Sequence, residues 1–283
     1  MRTWFITGAS RGLGREIARA ALKGGDQVVA TARNPEWIKS GLPGFGDRLL
    51  ALALDVTNQD AIEAAVDKAV KHFGRIDVLI NNAGYGQLGA FEELSVSAIE
   101  KQFATNLFGV FAVTRAVLPV MRSQRAGHIL TVSSTAGIIG FDGASIYCAT
   151  KFALEGWSES LSLELAQFGI RTTVVEPGGF RTDFLDSSSV AYSDISIPDY
   201  AAYSSKRKDA LDEYNHNQGG DPVKFGKTIT ILVATQEPPV RFAVGSDAYG
   251  VVSNKANILR AEANRWRGLS ITTDIAVEQQ SGG

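Results

Sequence analysis

The sequence is poor in the residue types that cross-link a small fold or bind a metal. Among 283 residues it has one cysteine, Cys148, and three scattered histidines. A lone cysteine cannot close an intrachain disulfide or supply a cysteine-rich zinc site, and histidines without a short mutual spacing do not suggest a zinc centre. The sequence therefore predicts neither a disulfide framework nor a metal site.

Charge of one sign and long apolar runs are also missing. Lys and Arg number 28 against 30 Asp and Glu, which gives a net charge of −2 and no basic field for nucleic acid or an anionic bilayer. Arg115, Lys227 or Pro238 interrupts the longest apolar runs before they reach the roughly 18 residues of a membrane span. The start of the chain runs into a glycine-rich turn without the pattern of a secretory signal. We therefore expect a cytoplasmic protein with no nucleic-acid partner and no membrane span.

Short apolar runs alternate with amphipathic stretches along most of the chain. The runs lack period-two alternation, which is typical of strands buried on both faces of a parallel sheet. The predicted strands are residues 3–7, 27–32, 49–55, 78–81, 128–133, 170–176 and 241–244. The predicted helices between and after them are residues 13–23, 59–73, 98–121, 146–168, 221–235 and 253–266. This order predicts an α/β protein, 1–283, with a single-domain Rossmann fold whose doubly wound parallel sheet is flanked by helices on both faces.

Two segments depart from the alternation. Residues 183–220 show no clear periodicity, and a long irregular segment in a compact domain is typical of a lid. We predict a substrate-binding lid there, followed by a helix that Asp221 caps and Pro222 begins. Residues 250–283 are predicted to form a C-terminal helical extension that ends in a frayed polar tail at 279–283.

The first strand runs into the tract TGASRGLG at residues 7–14, and a helix follows directly. Glycine removes the Cβ atom that would obstruct a diphosphate, and a helix N-terminus presents N–H groups and a positive dipole to an anion. The spacing is GxxxGxG rather than GxGxxG. The predicted cofactor-binding residues of this turn are Gly8, Ser10, Arg11, Gly12, Leu13 and Gly14.

The residue that follows the second strand bears on the choice of dinucleotide. Many dinucleotide folds place an acidic residue there to accept hydrogen bonds from the adenosine ribose, but this chain has Arg33. A guanidinium can pair with a 2′-phosphate instead, and Arg11 in the glycine turn could reach the same group. The sequence therefore predicts a preference for NADP(H), with NAD(H) as the alternative cofactor.

With the glycine tract and a YCATK tract at 147–151, the chain resembles the classical short-chain dehydrogenase/reductase family over roughly its first 180 residues. The longer tract YCATKFALEGWSESLSLEL is similar to the 17-beta-hydroxysteroid and retinol dehydrogenase-like branch. The resemblance implies further cofactor contacts after the third, fourth and sixth strands and on the YxxxK helix. These are Asp55, Val56, Asn82, Ala83, Gly84, Tyr147, Lys151, Pro177, Gly178 and Thr182.

Tyr147 and Lys151 lie four residues apart and so share one face of a helix, and Ser134 stands at the carboxyl end of the fifth predicted strand. The family uses these types as a catalytic set, to which the resemblance adds Asn106 as the holder of a water. Reducing a carbonyl leaves negative charge on its oxygen, so a proton donor must stand beside it. Tyr147 is predicted to be that general acid, with Ser134 holding the oxygen and the Lys151 ammonium lowering the cost of the phenolate.

Residues near the predicted nicotinamide end are mostly apolar or aromatic, which indicates a hydrophobic ketone, aldehyde or secondary alcohol as substrate. The candidate pocket residues are Tyr85, Gln87, Ile138, Ile139, Phe141, Phe184, Leu185, Tyr192, Tyr200 and Tyr203. Cys148 is interpreted as a packing residue, and Glu155, Glu159 and Glu164 as solvated helix residues. The wide apolar stripe of the 146–168 helix predicts a homodimer, with a tetramer as the larger alternative.

Two other functions stay open at this stage. An epimerase or dehydratase can also use Tyr and Lys on a helix, although such relatives typically have GxxGxxG and a larger C-terminal domain. A nonenzymatic NADPH sensor or scaffold could keep the fold, but it would have no need of the complete Ser134, Tyr147 and Lys151 set. The prediction is therefore an NADPH-dependent oxidoreductase.

Overall fold

The computed structural model describes residues 1–275. Its strands are β1 (Thr3–Ile6), β2 (Gln27–Ala32), β3 (Leu49–Ala53), β4 (Val78–Asn81), β5 (Gly86–Leu88), β6 (Gly127–Val132), β7 (Ile170–Pro177), β8 (Val190–Tyr192) and β9 (Arg241–Val244). Its helices are α1 (Gly12–Lys23), α2 (Glu36–Gly41), α3 (Gln59–Phe73), α4 (Val96–Phe103), α5 (Gly109–Gln124), α6 (Ser145–Leu165), α7 (Ala201–Tyr214), α8 (Pro222–Ala234) and α9 (Ser246–Ser270).

Seven strands form one parallel sheet in the order β3-β2-β1-β4-β6-β7-β9. Every residue of β1 is fully buried, as expected for a strand covered on both faces. The strand order reverses between β1 and β4, and ligands of such sheets bind beyond the carboxyl ends of the strands at this point. The predicted Rossmann architecture is confirmed, and the topology fixes where the site must lie.

Two apolar layers hold helices against the faces of the sheet. One layer packs α1 and α8 on the sheet through Ile17, Leu22 and Phe225, and the other packs α3, α5 and α6 through residues such as Val66 and Val117. Sequence signals mark the helix ends: the Asn58 side chain accepts from the Ala61 N–H at 3.0 Å to begin α3. The Asp221 side chain caps α8 as predicted.

The predicted helix 98–121 is longer and less regular than expected. Helix α4 passes through a π-helical turn, Ala104–Phe108, into α5, so helical structure runs from Val96 to Gln124. By length and composition this run could cross a membrane, but a core helix of a soluble fold passes the same test. Val113 and Met121 are fully buried against the sheet, which is the behaviour of a core helix.

The prediction that the lid, residues 183–220, is irregular is wrong in part. This segment contains β8, which pairs in parallel with β5 to form a second sheet, and the 14-residue helix α7. Helix α7 has no buried residue, so it lacks the apolar face that makes a helix recognisable in a sequence.

The C-terminal extension begins earlier than predicted, because α9 starts at Ser246 and continues to Ser270. The predicted tail at 279–283 lies outside the described residues. On α6, Leu154 and Leu161 of the predicted apolar stripe are buried, whereas Phe152 and Leu163 are exposed. The homodimer and the cytoplasmic location stay predictions.

Candidate active site

The glycine turn between β1 and α1 lies at the carboxyl edge of the sheet. Gly8 and Gly12 adopt left-handed backbone conformations, with φ of 67° and 54°. No side chain caps the first turn of α1, so its N–H groups remain available to an anion. The turn therefore fits the diphosphate of a dinucleotide.

The tract after β4 holds this turn in place. The Asn82 side-chain amide donates to the carbonyl oxygens of Thr7 and Gly8, both at 3.0 Å. The Thr7 hydroxyl oxygen accepts from the backbone N–H groups of Asn82 and Ala83, also at 3.0 Å. Because a Cβ on Gly8 would come within 2.9 Å of the Ala83 Cα, the two loops must approach through glycine.

Replacing Gly14 with Ala is expected to destabilise the protein and weaken its binding of a nicotinamide dinucleotide. The added Cβ would lie 2.5 Å from the Gly8 carbonyl oxygen, so the turn must shift, and such overpacking costs about 1–3 kcal/mol. The measurement is the free energy of unfolding in denaturant together with a dinucleotide titration.

Gly250→Ala is the matched control for that substitution. Gly250 lies inside α9, and no atom of residues 1–275 comes within 4 Å of an added Cβ, so alanine should raise the free energy of unfolding by about 0.5–1 kcal/mol. Equal effects of the two substitutions would contradict the assigned role of Gly14.

The two predicted 2′-phosphate ligands have different surroundings. Arg33 is exposed directly after β2, and its positive charge helps to lower the pKa of Asp55, which hydrogen bonds from Thr57 lower more strongly. The Arg11 guanidinium instead donates to the Ser188 hydroxyl at 2.5 Å and to the Ser188 carbonyl at 2.6 Å. The structure thus joins the glycine turn to the lid through Arg11.

Further polar contacts join the two ends of the lid to each other. Asp186 accepts from the Asn215 side-chain amide at 2.7 Å and pairs with His216 at 3.0 Å. The fold brings His216 close to Asp183 and Asp186, a grouping that histidine spacing in the sequence does not reveal. Thr182 begins the lid beside the glycine turn, because a Cβ on Gly12 would lie 3.7 Å from the Thr182 Cβ.

Three of the predicted catalytic residues, Ser134, Tyr147 and Lys151, lie near the carboxyl end of β6. Ser134 follows β6, and its hydroxyl accepts from the Ala136 N–H at 3.1 Å. Tyr147 and Lys151 lie on α6, where the Lys151 ammonium donates to the Val132 carbonyl at 2.9 Å and stands 5.7 Å from the centre of the Tyr147 ring. The Tyr147 ring lies 5.9 Å from that of Phe184, at the start of the lid.

The electrostatics of this group differ from the sequence expectation. Burial raises the pKa of the Tyr147 hydroxyl above its ordinary value, and a hydrogen bond with Ser134 opposes the shift. Burial also lowers the pKa of the Lys151 ammonium to about 8, against the attraction of Glu155. In this arrangement burial therefore outweighs the expected effect of Lys151 on the phenol, and Tyr147 carries its proton at neutral pH.

Asn106 lies in the π-helical turn and is 1% exposed. Its side chain donates to the Tyr85 carbonyl at 2.9 Å and accepts from the Tyr85 N–H at 3.1 Å. A π-turn often marks a functional position, and here it presents both ends of an amide to the loop after β4. The water-holding role of Asn106 stays a prediction.

The remaining predicted cofactor residues lie where strands end. Val56 packs against α5, since a Cβ on Gly109 would come within 2.8 Å of its side chain. Pro177 ends β7, and the Gly178 N–H donates to the Val244 carbonyl at 3.1 Å. Leu13 packs on the apolar layer under α1, while Ser10 is half-buried in the glycine turn.

Part of the predicted substrate pocket gathers beside Tyr147. An apolar cluster there, here called the Tyr147 cluster, contains Tyr147, Leu88, Ala136, Ala144, Cys148, Leu185, Val190, Tyr192 and Leu211. Cys148 is buried in it, so its interpretation as a packing residue is confirmed. The buried Gln87 donates to the Tyr192 carbonyl at 2.9 Å, which connects the pocket strand to the lid strand.

Other predicted pocket residues lie further out. The Tyr200 hydroxyl donates to Glu92 and the Tyr203 hydroxyl to Asp142, both at 2.6 Å, so these side chains anchor α7 to the body of the protein. Phe141 is 42% exposed, and Ile138 and Ile139 are half-buried after the turn that follows Ser134.

The interpretation of Glu155 as a solvated residue is wrong, because it is 3% exposed. Glu159 and Glu164 are exposed as expected. Glu155 lies one turn beyond Lys151 and binds Arg241 of β9. A usable signal was the charged Glu176 within the apolar run TTVVEP, since a charge in a buried strand requires a partner.

Comparison with known proteins defines the class. The family model described as short chain dehydrogenase matches residues 2–192. Oxidoreductase BOA17 of Botryotinia fuckeliana is 42% identical over 96% of this chain and 99% of its own length. A 3-ketodihydrosphingosine reductase of Bacteroides thetaiotaomicron is 39% identical over 85% of this chain and 87% of its own. Retinol dehydrogenase 8 of Bos taurus is 36% identical over 85% of this chain and 80% of its own.

Solved structures agree with these relatives. A short-chain dehydrogenase from Streptomyces avermitilis superposes with a TM-score of 0.88 at 38% identity and covers 97% of this chain and 100% of its own. A serine dehydrogenase complexed with NADP⁺ gives a TM-score of 0.72 at 28% identity over 85% of this chain and 93% of its own.

The site and the fold define a nicotinamide-dependent dehydrogenase or reductase that acts on CH–OH and C=O groups. The chain belongs to the short-chain dehydrogenase/reductase family.

Proposed function

We propose that this protein is an NADPH-dependent oxidoreductase that transfers a hydride between NADP(H) and a hydrophobic ketone, aldehyde or secondary alcohol. One observation carries the proposal: the buried Tyr147 has its hydroxyl beside Ser134, the Lys151 ammonium 5.7 Å from its ring centre, and its ring packed in the apolar Tyr147 cluster. This arrangement suits proton donation to an oxygen attached to an apolar substrate.

The residues of the chain divide the work as follows. The reduced nicotinamide, when bound, supplies the hydride. Tyr147 donates its proton to the oxygen, and Ser134 holds that oxygen by donating a hydrogen bond. Lys151 keeps a positive charge near the phenol as the proton leaves, because its ammonium form prevails below a pKa of about 8. The Tyr147 cluster excludes water from the transfer.

Two arginines support the choice of NADP(H). Arg33 stands where an acidic residue would accept ribose hydroxyls, and Arg11 lies in the neighbouring turn. A guanidinium pairs well with a 2′-phosphate. The similar serine dehydrogenase that is complexed with NADP⁺ supports the same choice.

The substrate class rests on the side chains around Tyr147. Leu88, Val190 and Leu185 present apolar surface there. Two relatives carry names, 3-ketodihydrosphingosine reductase and retinol dehydrogenase, that point to substrates with long apolar chains. We therefore propose a ketone or alcohol with an extended apolar chain.

Purified protein is expected to oxidise NADPH when it is mixed with long-chain ketones or aldehydes, and the loss of NADPH absorbance measures this. Short, carboxylate-bearing ketones serve as the control and should react far more slowly. Intact NADPH binding with no turnover across carbonyls and alcohols of varied chain length would contradict the proposal and favour a sensor.

A further inference from the structure

Two buried carboxyl groups lie near the catalytic residues. Glu155 is 3% exposed and Glu176 is 1% exposed. Glu155 follows Lys151 by one turn of α6, and Glu176 lies in β7 directly before Pro177. The mechanism above uses neither group.

One arginine contacts this pair. The Arg241 guanidinium binds Glu155 at 2.6 Å and the exposed Glu159 at 2.7 Å, and it lies 3.6 Å from Glu176. The Lys151 ammonium also attracts Glu155, so of the two buried carboxyl groups Glu176 has the weaker charge compensation. Burying an uncompensated charge is costly, and such groups take up a proton instead.

The unpaired oxygens show where that proton belongs. Glu155 Oε1 and Glu176 Oε1 are both buried, and neither has a hydrogen-bond partner within residues 1–275. Two carboxylates offer only acceptors, whereas one protonated carboxyl group supplies a donor. If the two groups share one proton, the protonated carboxyl group donates a hydrogen bond to an unpaired oxygen of the other. One of the two buried negative charges is then removed.

We propose that Glu155 and Glu176 form a proton-sharing carboxyl pair that sets how much negative charge faces the Lys151 ammonium. The pair acts through Lys151, so Glu155 and Glu176 are positioning residues rather than catalytic ones. This inference rests on the proposed function of Lys151, but the existence of the pair does not.

The charged and titratable groups that face the pair come from three elements. Lys151 and Glu159 lie on α6, as Glu155 does. Glu176 lies in β7, and Arg241 lies in β9. The Ser133 hydroxyl, which also has no hydrogen-bond partner within residues 1–275, lies near Glu155 at the end of β6 and lowers the pKa of that group. Tyr147 borders Lys151 on its other side. Of the two carboxyl groups, Glu155 is the one whose charge raises the pKa of Lys151.

The directions of the pKa shifts agree with a shared proton. Burial, with a smaller contribution from Glu176, raises the pKa of Glu155 to about 8 against the opposing effects of Ser133 and Arg241. Burial likewise raises the pKa of Glu176, with Arg241 opposing. The pair therefore changes charge in the pH range in which Lys151 loses its proton.

Substituting each carboxyl group in turn should move the pH profile of kcat in opposite directions. Glu155→Gln removes the negative charge beside Lys151, so the pKa of Lys151 falls. The decline of kcat at basic pH then begins at a lower pH. Glu176→Gln removes the carboxylate that competes with Glu155, so Glu155 ionises fully. Its charge raises the pKa of Lys151, and the decline of kcat at basic pH begins at a higher pH. We expect a shift of about one pH unit in each case.

Glu159→Gln is the matched control, because Glu159 lies on the same helix and binds the same arginine but is exposed. It should leave the basic limb of the profile unmoved. A purely structural role of the pair would lower kcat without these opposed shifts. Shifts of the same sign for Glu155→Gln and Glu176→Gln, or no shift in either, would overturn the link to Lys151.

Infrared spectra of the ligand-free protein test the pair without any turnover. The unsubstituted protein should show a protonated-carboxyl band that disappears as the pH rises through about 8. Glu155→Gln and Glu176→Gln should both lack the band, since each lone carboxylate then has Arg241, whereas Glu159→Gln should retain it. Absence of the band from the unsubstituted protein overturns the shared proton. If no carbonyl is reduced but the band titrates, the proposed function fails and the pair stands.

Discussion

Tyr147→Phe is expected to lower kcat by about 10²–10⁴-fold while it leaves NADPH affinity unchanged. The substitution removes only the hydroxyl that donates the proton, and the ring keeps its packing in the Tyr147 cluster. Steady-state kinetics with a long-chain ketone measure the loss, and a fluorescence titration with NADPH measures the affinity.

Tyr249→Phe controls for the loss of a tyrosine hydroxyl elsewhere. Tyr249 lies on α9 and is 71% exposed, so its substitution should leave both quantities unchanged. A near-normal kcat for Tyr147→Phe, measured over the same pH range, would exclude Tyr147 as the general acid. The fall must also appear in both directions of the reaction, because a group that gives a proton to the ketone takes it back from the alcohol.

Arg33→Asp is expected to reverse the cofactor preference from NADPH to NADH. A carboxylate repels a 2′-phosphate and accepts hydrogen bonds from ribose hydroxyls. The loss of one charge-assisted pair lowers kcat/KM for NADPH by about 10–10²-fold, and kcat/KM for NADH should rise. The ratio of the two kcat/KM values is the measurement.

Arg260→Asp changes the net charge by the same amount on the exposed α9 and should leave that ratio unchanged. This control shows whether Arg33 acts by contacting the 2′-phosphate or only through its contribution to the net charge of the protein, since a positive charge attracts NADPH more strongly than NADH. An unchanged ratio in Arg33→Asp would remove Arg33 from the cofactor site. Arg11 would then be the remaining candidate, although its guanidinium contacts Ser188 in this structure.

Elements with strong local signals were predictable to the residue. The strands at 27–32, 78–81 and 241–244 and the helix at 59–73 have the predicted bounds, because turn or cap residues border the apolar pattern of each. Helix α7 was missed because a helix that buries no residue leaves no periodic pattern. The π-turn around Asn106 was missed because hydrophobic periodicity does not register one extra residue in a turn.

The candidate site divides in the same way. The glycine turn, Ser134, Tyr147 and Lys151 follow from strand ends and helical spacing, so the sequence reveals them together. The Arg11–Ser188 contact joins positions 177 apart, and the Arg241–Glu155 pair joins positions 86 apart. Such contacts depend on how elements pack rather than on local pattern, and only the folded chain shows them.

The most direct test of the account is a crystal structure with NADP⁺ and a long-chain alcohol bound. The account predicts the Tyr147 hydroxyl within hydrogen-bond distance of the substrate oxygen, with the carbinol carbon facing C4 of the nicotinamide and the chain lying against Leu88 and Val190. A Tyr147 hydroxyl that points away from C4, with no room for a substrate between them, would contradict it.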